Sequence, residues 1–261
     1  MPPKIKNINL VFAFLSGLIL LFIVGPLLGM LLDTPATDIF NAAAEKEVKE
    51  SIALTLTASI LGTLFFSIGA IPFAYLLARK EFRFKRLISG IIDIPVVIPH
   101  SAAGIALLGF ISRDSVLGKS ADFMGFSLVG HPLGIAMAMA FVSLPYLINA
   151  ARNGFEAVPV RLEKAALNLG ASSFKMFFSI SLPLAWRSIL SGLIMMFARG
   201  MSEFGAVVII AYHPMTAPVM IFERFGAFGL KYAQPVALIF MAISLLVFII
   251  LRWLSGKKIH A

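Results

Sequence analysis

Cysteine is missing from all 261 residues. Its absence excludes disulfides, thiolate metal sites and a cysteine nucleophile. Charge is scarce too: 13% of residues are Asp, Glu, Lys or Arg, against about a quarter in an ordinary soluble domain. The four histidines, His100, His131, His213 and His260, are scattered. No two stand at helical ligand spacing, so the sequence offers no metal site. A phosphate loop is missing as well. Gly118-Lys119-Ser120 carries its last three residues, but the motif needs glycine at position 113, where Arg113 stands. Ser202 lies between Gly200 and Gly205, yet both Glu203 and Phe204 separate it from Gly205. That spacing is not the G-x-S-x-G of a nucleophilic serine. The chain carries no nucleotide site and no complete catalytic constellation, and it calls for no cofactor.

What the chain has is apolar length. Hydrophobic residues make up 59%, and mean hydropathy is +0.95. Those values exclude a disordered chain and an ordinary soluble domain. Crossing ~30 Å of hydrocarbon takes ~20 mostly apolar residues in a helix. Six segments qualify: 8–32, 52–78, 87–112, 132–150, 188–211 and 235–254. The first follows Lys4 and Lys6, but it is too long for the ~7–15-residue core of a signal peptide. It reads as a retained span. The expected fold is an all-α integral membrane protein with six transmembrane helices in one domain over 1–261.

The net charge of +9 would suggest a nucleic-acid partner in a soluble protein. Its distribution says otherwise. The N-terminus, residues 79–86, residues 151–187 and the tail from Arg252 hold 15 of the 22 basic residues. Their only acids are Glu81, Glu156 and Glu163. The opposite loops hold Lys46, Lys49, Arg113, Lys119, Arg224 and Lys231 against eight acids. Basic residues in short loops mark the cytoplasm. Six spans with both termini cytoplasmic satisfy that rule at every loop. The excess is topological, and no nucleic acid is implied. Between the first two spans, residues 33–50 read as a small surface helix, favoured by Ala42–Ala44.

Residues 151–187 form the longest inner loop. Leu162, Ala165, Ala166 and Leu169 fall at i, i+3, i+4 and i+7, one helical stripe. Gly170 suits the left-handed position that ends a helix. Ser172 or Ser173 can cap a second helix, with Phe174, Phe177 and Phe178 on one side and Pro183 as its stop. Two readings fit this pair of helices: an amphipathic hairpin on the lipid surface, or a knob whose stripe fits a partner's groove.

The same loop resembles a signature of ATP-binding-cassette (ABC) importer permeases: E-A-A-x-x-x-G, nine residues, then I-x-L-P. Here Ala165, Ala166 and Gly170 are followed after nine residues by Ile180, Ser181, Leu182 and Pro183. The glutamate position holds Lys164, with Glu163 just before it, so the role of that charge is open. The resemblance implies that Glu163, Lys164, Ala165, Ala166, Gly170, Ile180, Leu182 and Pro183 belong to coupling helices. These would dock on a cytoplasmic ATPase subunit dimer and pass its closure to the spans. Three further stretches resemble the molybdate, tungstate and sulfate permeases: Asp93–Gly104, Ala198–Val208 and Tyr212–Pro218, the last the molybdate/tungstate branch in particular.

Asp93, Arg199 and Glu203 are the ionisable groups well inside spans. Such groups normally face protein or a water-filled path. Arg199 and Glu203, at i and i+4, can pair. Two readings stay open: an ion pair that only holds helices together, or the face of the translocation path and gate. In the second, Arg199 offsets the repulsion a lone Glu203 would exert on an anion. Ser202 and Ser101 would supply hydroxyl donors. Asp93 reads as structural or as part of an inner vestibule. Pro95 and Pro99 interrupt the third span's hydrogen bonds, as a packing kink or as a hinge. His100 follows as a satisfied bundle residue or a ligand.

The resemblance implies a permease subunit of an ABC importer for molybdate or tungstate, working by alternating access in the cell membrane. One six-span sequence implies a homodimer. An oxyanion-binding protein would sit outside and the ATPase inside. Alternatives are a sulfate permease of the same family or an ion-driven secondary transporter. The latter often shows internal repeats, and none is evident here.

Overall fold

The computed structural model describes residues 3–256, and the side chains of residues 10–253. The basic tail residues Lys257 and Lys258, with His260, lie outside the described residues. The described chain is helical throughout, without strands. In order come α1 (Pro3–Asp33), α2 (Ala36–Ala44), α3 (Lys46–Arg79), α4 (Lys85–Val97), α5 (His100–Ile111), α6 (Val116–Phe123) and α7 (Pro132–Ala157). Then follow α8 (Val160–Asn168), α9 (Ser173–Met176), a π-turn (Phe177–Ser181), α10 (Leu182–Met201), α11 (Gly205–Ile210), α12 (Ala217–Phe228) and α13 (Leu230–Gly256).

At the centre of the bundle, α7 packs against α3 and α10. Its small residues let backbones approach closely, as helices without a hydrophobic driving force require. A Cβ on Gly62 of α3 would lie 2.6 Å from the Ala136 carbonyl oxygen, and one on Gly192 of α10 would lie 2.8 Å from Ala150 Cβ. One buried cluster joins Ala74, Leu77, Leu147, Phe155, Ala185 and Ile189 at the C-terminal end of α7. A second joins Leu107, Ile111, Leu128, Ile135, Val207 and Ile210 at the other end. A third seats α2 against α3, α12 and α13 through Ala42, Val48, Met220 and Val236. The described side chains of α1 stand apart, mostly exposed, with a sparse contact to α13.

Five helices or helical runs are long and apolar enough to cross a membrane, and a bent pair, α4 with α5, makes a sixth. The pair bends by 111° at Ile98 and Pro99, where Pro99 caps α5. Pro95 sits inside α4 without ending it. The contacts of the pair climb steadily along α7. Arg152 reaches Ser89 at 3.3 Å and Asn149 donates to Asp93 at 2.7 Å. Farther along, Leu107 and Ile111 share a cluster with Leu128 and Ile135 at the opposite end. The pair therefore traverses the bundle as one broken crossing.

Several boundaries differ from the sequence expectation: the surface helix read over 33–50 covers only Ala36–Ala44, α3 begins at Lys46, α7 runs on to Ala157 and α13 begins at Leu230. Two differences bear on the site. Pro183 does not stop the helix begun at Ser173, which runs on to Met201. The reason is the π-turn. The Leu182 N–H bonds to the Phe177 carbonyl, five residues back, and the widened turn leaves Pro183 in the first turn of α10. A first-turn proline lacks only an amide that the α-helix would not have used. At the far end, the segment expected over 188–211 is interrupted at Ser202–Phe204 before α11 resumes. The sequence reading also contained no helix at α12.

Candidate coupling loop and gate

The loop beyond α7 is built from α8, a glycine hinge and α9. The Gly170 N–H bonds to the Leu167 carbonyl and the Ala171 N–H to the Ala166 carbonyl. Gly170 sits at φ +85°, the left-handed helix ending that glycine adopts without strain. Ser172 then caps α9, accepting the Lys175 N–H.

What ties this loop to the bundle is Glu163. The sequence left its role open, and the structure turns it inward: Glu163 is buried, while Lys164 next to it is exposed. Arg79, at the end of α3, donates from Nε to both carboxylate oxygens at 3.0 and 2.9 Å, and from Nη2 to Oε1 at 2.9 Å. Arg79 Nη2 also donates to the Val158 carbonyl at 2.9 Å. Ser181, in the π-turn, donates to Glu163 Oε1 at 2.7 Å. Burying a carboxylate is costly unless it is paired this fully, and the two-nitrogen arginine fork fixes its orientation as well. Around the ion pair, Tyr75 packs edge-on against Phe155 and Phe177, with ring centroids 5.2 and 5.0 Å apart.

The opposite side of the loop is apolar and uncovered. Leu162, Leu167, Phe174 and Phe178 are exposed, and Leu169 is 89% exposed. Ala165 is exposed and Ala166 half-buried; Ile180 and Leu182 are half-buried and Pro183 is exposed. The loop thus has a locked inner face and a free outer one.

The second site lies where the two broken spans meet. Glu203, in the gap between α10 and α11, is fully buried. Its Oε1 accepts the Ala206 N–H at 2.9 Å, so the carboxylate caps α11, where negative charge is favoured. Its Oε2 lies 2.9 Å from Arg199 Nη2 and 2.9 Å from His100 Nδ1. Neither approach has hydrogen-bond geometry, so attraction across short distances holds that oxygen. Arg199 Nη2 also lies 2.8 Å from His100 Nδ1. Thus His100, at the start of α5, joins the Arg199–Glu203 pair. Ser202 Oγ donates to the Arg199 carbonyl at 3.1 Å. Ser101, Ser202 and Pro99 are exposed beside this cluster, with Arg199 and His100 partly so. The break points touch: a Cβ on Gly205 would lie 2.8 Å from His100 Cβ, and one on Gly104 would lie 2.9 Å from Ala206 Cα. Asp93 stands apart, bonded to Asn149.

Sequence reasoning missed Tyr75, Arg79 and Ser181. Arg79 looked like one more topological charge, and 84 residues separate it from Glu163. The link between His100 and Arg199 spans 99 residues.

A bundle with two adjacent broken crossings and an apolar knob at one end has the fold of an importer permease. It superposes on a chain of a bacterial ABC transporter involved in import of the acidic polysaccharide alginate, with a TM-score of 0.74 over 98% of both chains at 18% identity. A family model described as the binding-protein-dependent transport system inner membrane component matches residues 70–260, and the chain belongs to that family. It is 47% identical over 211 residues to a molybdate/tungstate transport system permease protein of Pyrococcus abyssi, covering 81% of this chain and 79% of the relative. To the protein of that name from Methanocaldococcus jannaschii it is 41% identical over 241 residues, 92% and 94% of the two chains. A probable sulfate permease of Chlorokybus atmophyticus is 31% identical over 212 residues, 80% and 74%. The protein is accordingly a multi-pass component of the cell membrane.

Proposed function

We propose that this chain is the permease subunit of an ATP-driven importer for molybdate or tungstate, with both termini in the cytoplasm. The observation that carries the substrate class is the 47% identity to a permease of that name. The more distant sulfate permease, at 31%, ranks sulfate second. An ion-driven secondary transporter has no use for the uncovered knob at α8 and α9.

In this reading two copies flank a two-fold path. A separate ATPase dimer receives Leu162, Ala165, Leu169 and Phe174 in a groove on each subunit, as an amphipathic helix docks. An oxyanion-binding protein delivers substrate from outside. Glu163 takes no part in the outer contact and instead fastens the knob to α3 and the π-turn. Closure of the ATPase dimer draws the knobs together and turns the spans outward; hydrolysis returns them. Arg199, His100, Ser101 and Ser202 face the path, and the junction at Pro99 and Glu203 is its gate. Glu203 offers little net repulsion to an anion because Arg199 stands 2.9 Å away. The permease makes and breaks only noncovalent contacts.

The test is uptake by the purified chain reconstituted with its ATPase and binding protein. Molybdate and tungstate uptake should require ATP and be favoured over sulfate. Uptake driven by an ion gradient without the ATPase would overturn the reading.

A further inference from the structure

The turn between α3 and α4 reads Lys80-Glu81-Phe82-Arg83-Phe84-Lys85-Arg86. Positive charge in a short loop has a topological explanation, but topology does not require the arrangement found here. Two of the surrounding charges are already matched: Arg79 by Glu163 and Lys85 by Glu81, at 2.9 and 2.7 Å. Lys80, Arg83 and Arg86 are exposed and have no acidic partner among the described residues. Arg83, Lys85 and Arg86, with Glu81, Phe82 and Ser89, line an open cavity of about 570 Å³. Arg152 backs the cavity through Ser89, 3.3 Å away.

Two further features favour an anion there. The first is the start of α4 at Lys85, which has no side-chain cap and no acid in its first turn. Its positive end is uncompensated. The second is the apolar surround. Phe82 and Phe84 are exposed in the turn, Leu76 lies exposed just before it and Leu87 just after. A free phosphate needs only the charges. An amphiphile with an anionic head and apolar tails uses both, at the depth where a span leaves the hydrocarbon.

We propose that the α3–α4 turn binds the headgroup of an anionic phospholipid. Arg83 and Arg86 hold the phosphate, while Phe82 and Phe84 lie among the acyl chains. The assignment is independent of the transported substrate, because the site is on a lipid-facing turn away from Arg199 and Glu203.

The experiment titrates the purified full-length chain with phosphatidylglycerol, phosphatidylcholine or inorganic phosphate, and reads bound lipid by native mass spectrometry. The same titrations are run on an Arg83→Gln/Arg86→Gln variant. An Arg113→Gln/Lys119→Gln variant at the other end of the bundle serves as control. Phosphatidylglycerol should bind saturably and more tightly than phosphatidylcholine. The Arg83/Arg86 variant should weaken it roughly 25-fold, from about a factor of five per surface cation, and the control should leave it unchanged. Equal binding of both lipids, full displacement by inorganic phosphate, or equal loss in the control would overturn the proposal. So would a variant that binds lipid normally but assembles poorly with the ATPase, which would assign the turn to a protein partner.

Discussion

Replacing Arg79 with leucine tests how the knob is held. The substitution removes three hydrogen bonds to Glu163 and one to Val158. It leaves a carboxylate with hydroxyl donors alone, Ser181 at 2.7 Å and Tyr75 at 3.5 Å. Breaking a buried pair in this way costs about 3–5 kcal/mol. The cost falls on local opening of the loop, which has its own stability. Amide hydrogen exchange across residues 160–183 should therefore accelerate by up to roughly three orders of magnitude in the variant. Exchange in the centre of α7 should change much less. A double variant with Glu163→Gln should recover much of the loss. In the assembled transporter, the Arg79 variant should hydrolyse ATP with less uptake per ATP consumed. Wild-type exchange over 160–183, or no recovery in the double variant, would refute the reasoning.

Other expectations are simpler. Arg199→Ala and Glu203→Gln should each lower uptake and substrate-stimulated ATP hydrolysis; if both leave these rates unchanged, the cluster is structural only and the gate lies elsewhere. Gly104→Ala places a methyl 2.9 Å from Ala206 Cα and should lower stability by about 1–3 kcal/mol, read as a loss in melting temperature. Leu169→Glu, at an uncovered position, should change the melting temperature of the isolated permease little, by about 0.5 kcal/mol or less. In the same variant, ATPase binding measured by pull-down should weaken at least tenfold, and unchanged binding would remove Leu169 from the interface.

The sequence made the helices and the loop legible because both follow local rules. Apolar length, the i, i+3, i+4 stripe, Gly170 as a helix ending and the Ser172 cap all act within a few residues. What stayed hidden depends on partners far apart in the chain. No periodicity tells Arg79 from Arg83, yet one is locked to Glu163 and the other is free. Pro183 was misread for a related reason. A proline normally ends a helix, but the π-turn preceding it leaves no recognisable mark among Phe177-Phe178-Ser179-Ile180-Ser181. At the proposed gate, the i, i+4 spacing made the Arg199–Glu203 pair visible. The contribution of His100 required the bend at Pro99 and the close packing at Gly205. Glu163 itself was picked out by its position in the signature, but its direction was not, since adjacent residues on a helix point about 100° apart.

The continuity that Pro183 fails to break has a mechanical meaning. From Ser173 to Met201 the chain is one 29-residue helical run, roughly 43 Å long at 1.5 Å per residue. One end carries the apolar knob and the other carries Arg199. Pivoting where Gly192 presses against α7, such a rod would act as an unequal lever. Gly192 lies roughly 28 Å from the knob end and roughly 10 Å from Arg199, so a tilt of about 10° would swing the knob by roughly 5 Å and Arg199 by roughly 2 Å the other way, a shift comparable with the 2.9 Å that separates Arg199 from Glu203. In the proposed mechanism, a push on the knob would need no relay of side chains to reach the proposed gate, because one stiff helix carries both the knob and Arg199.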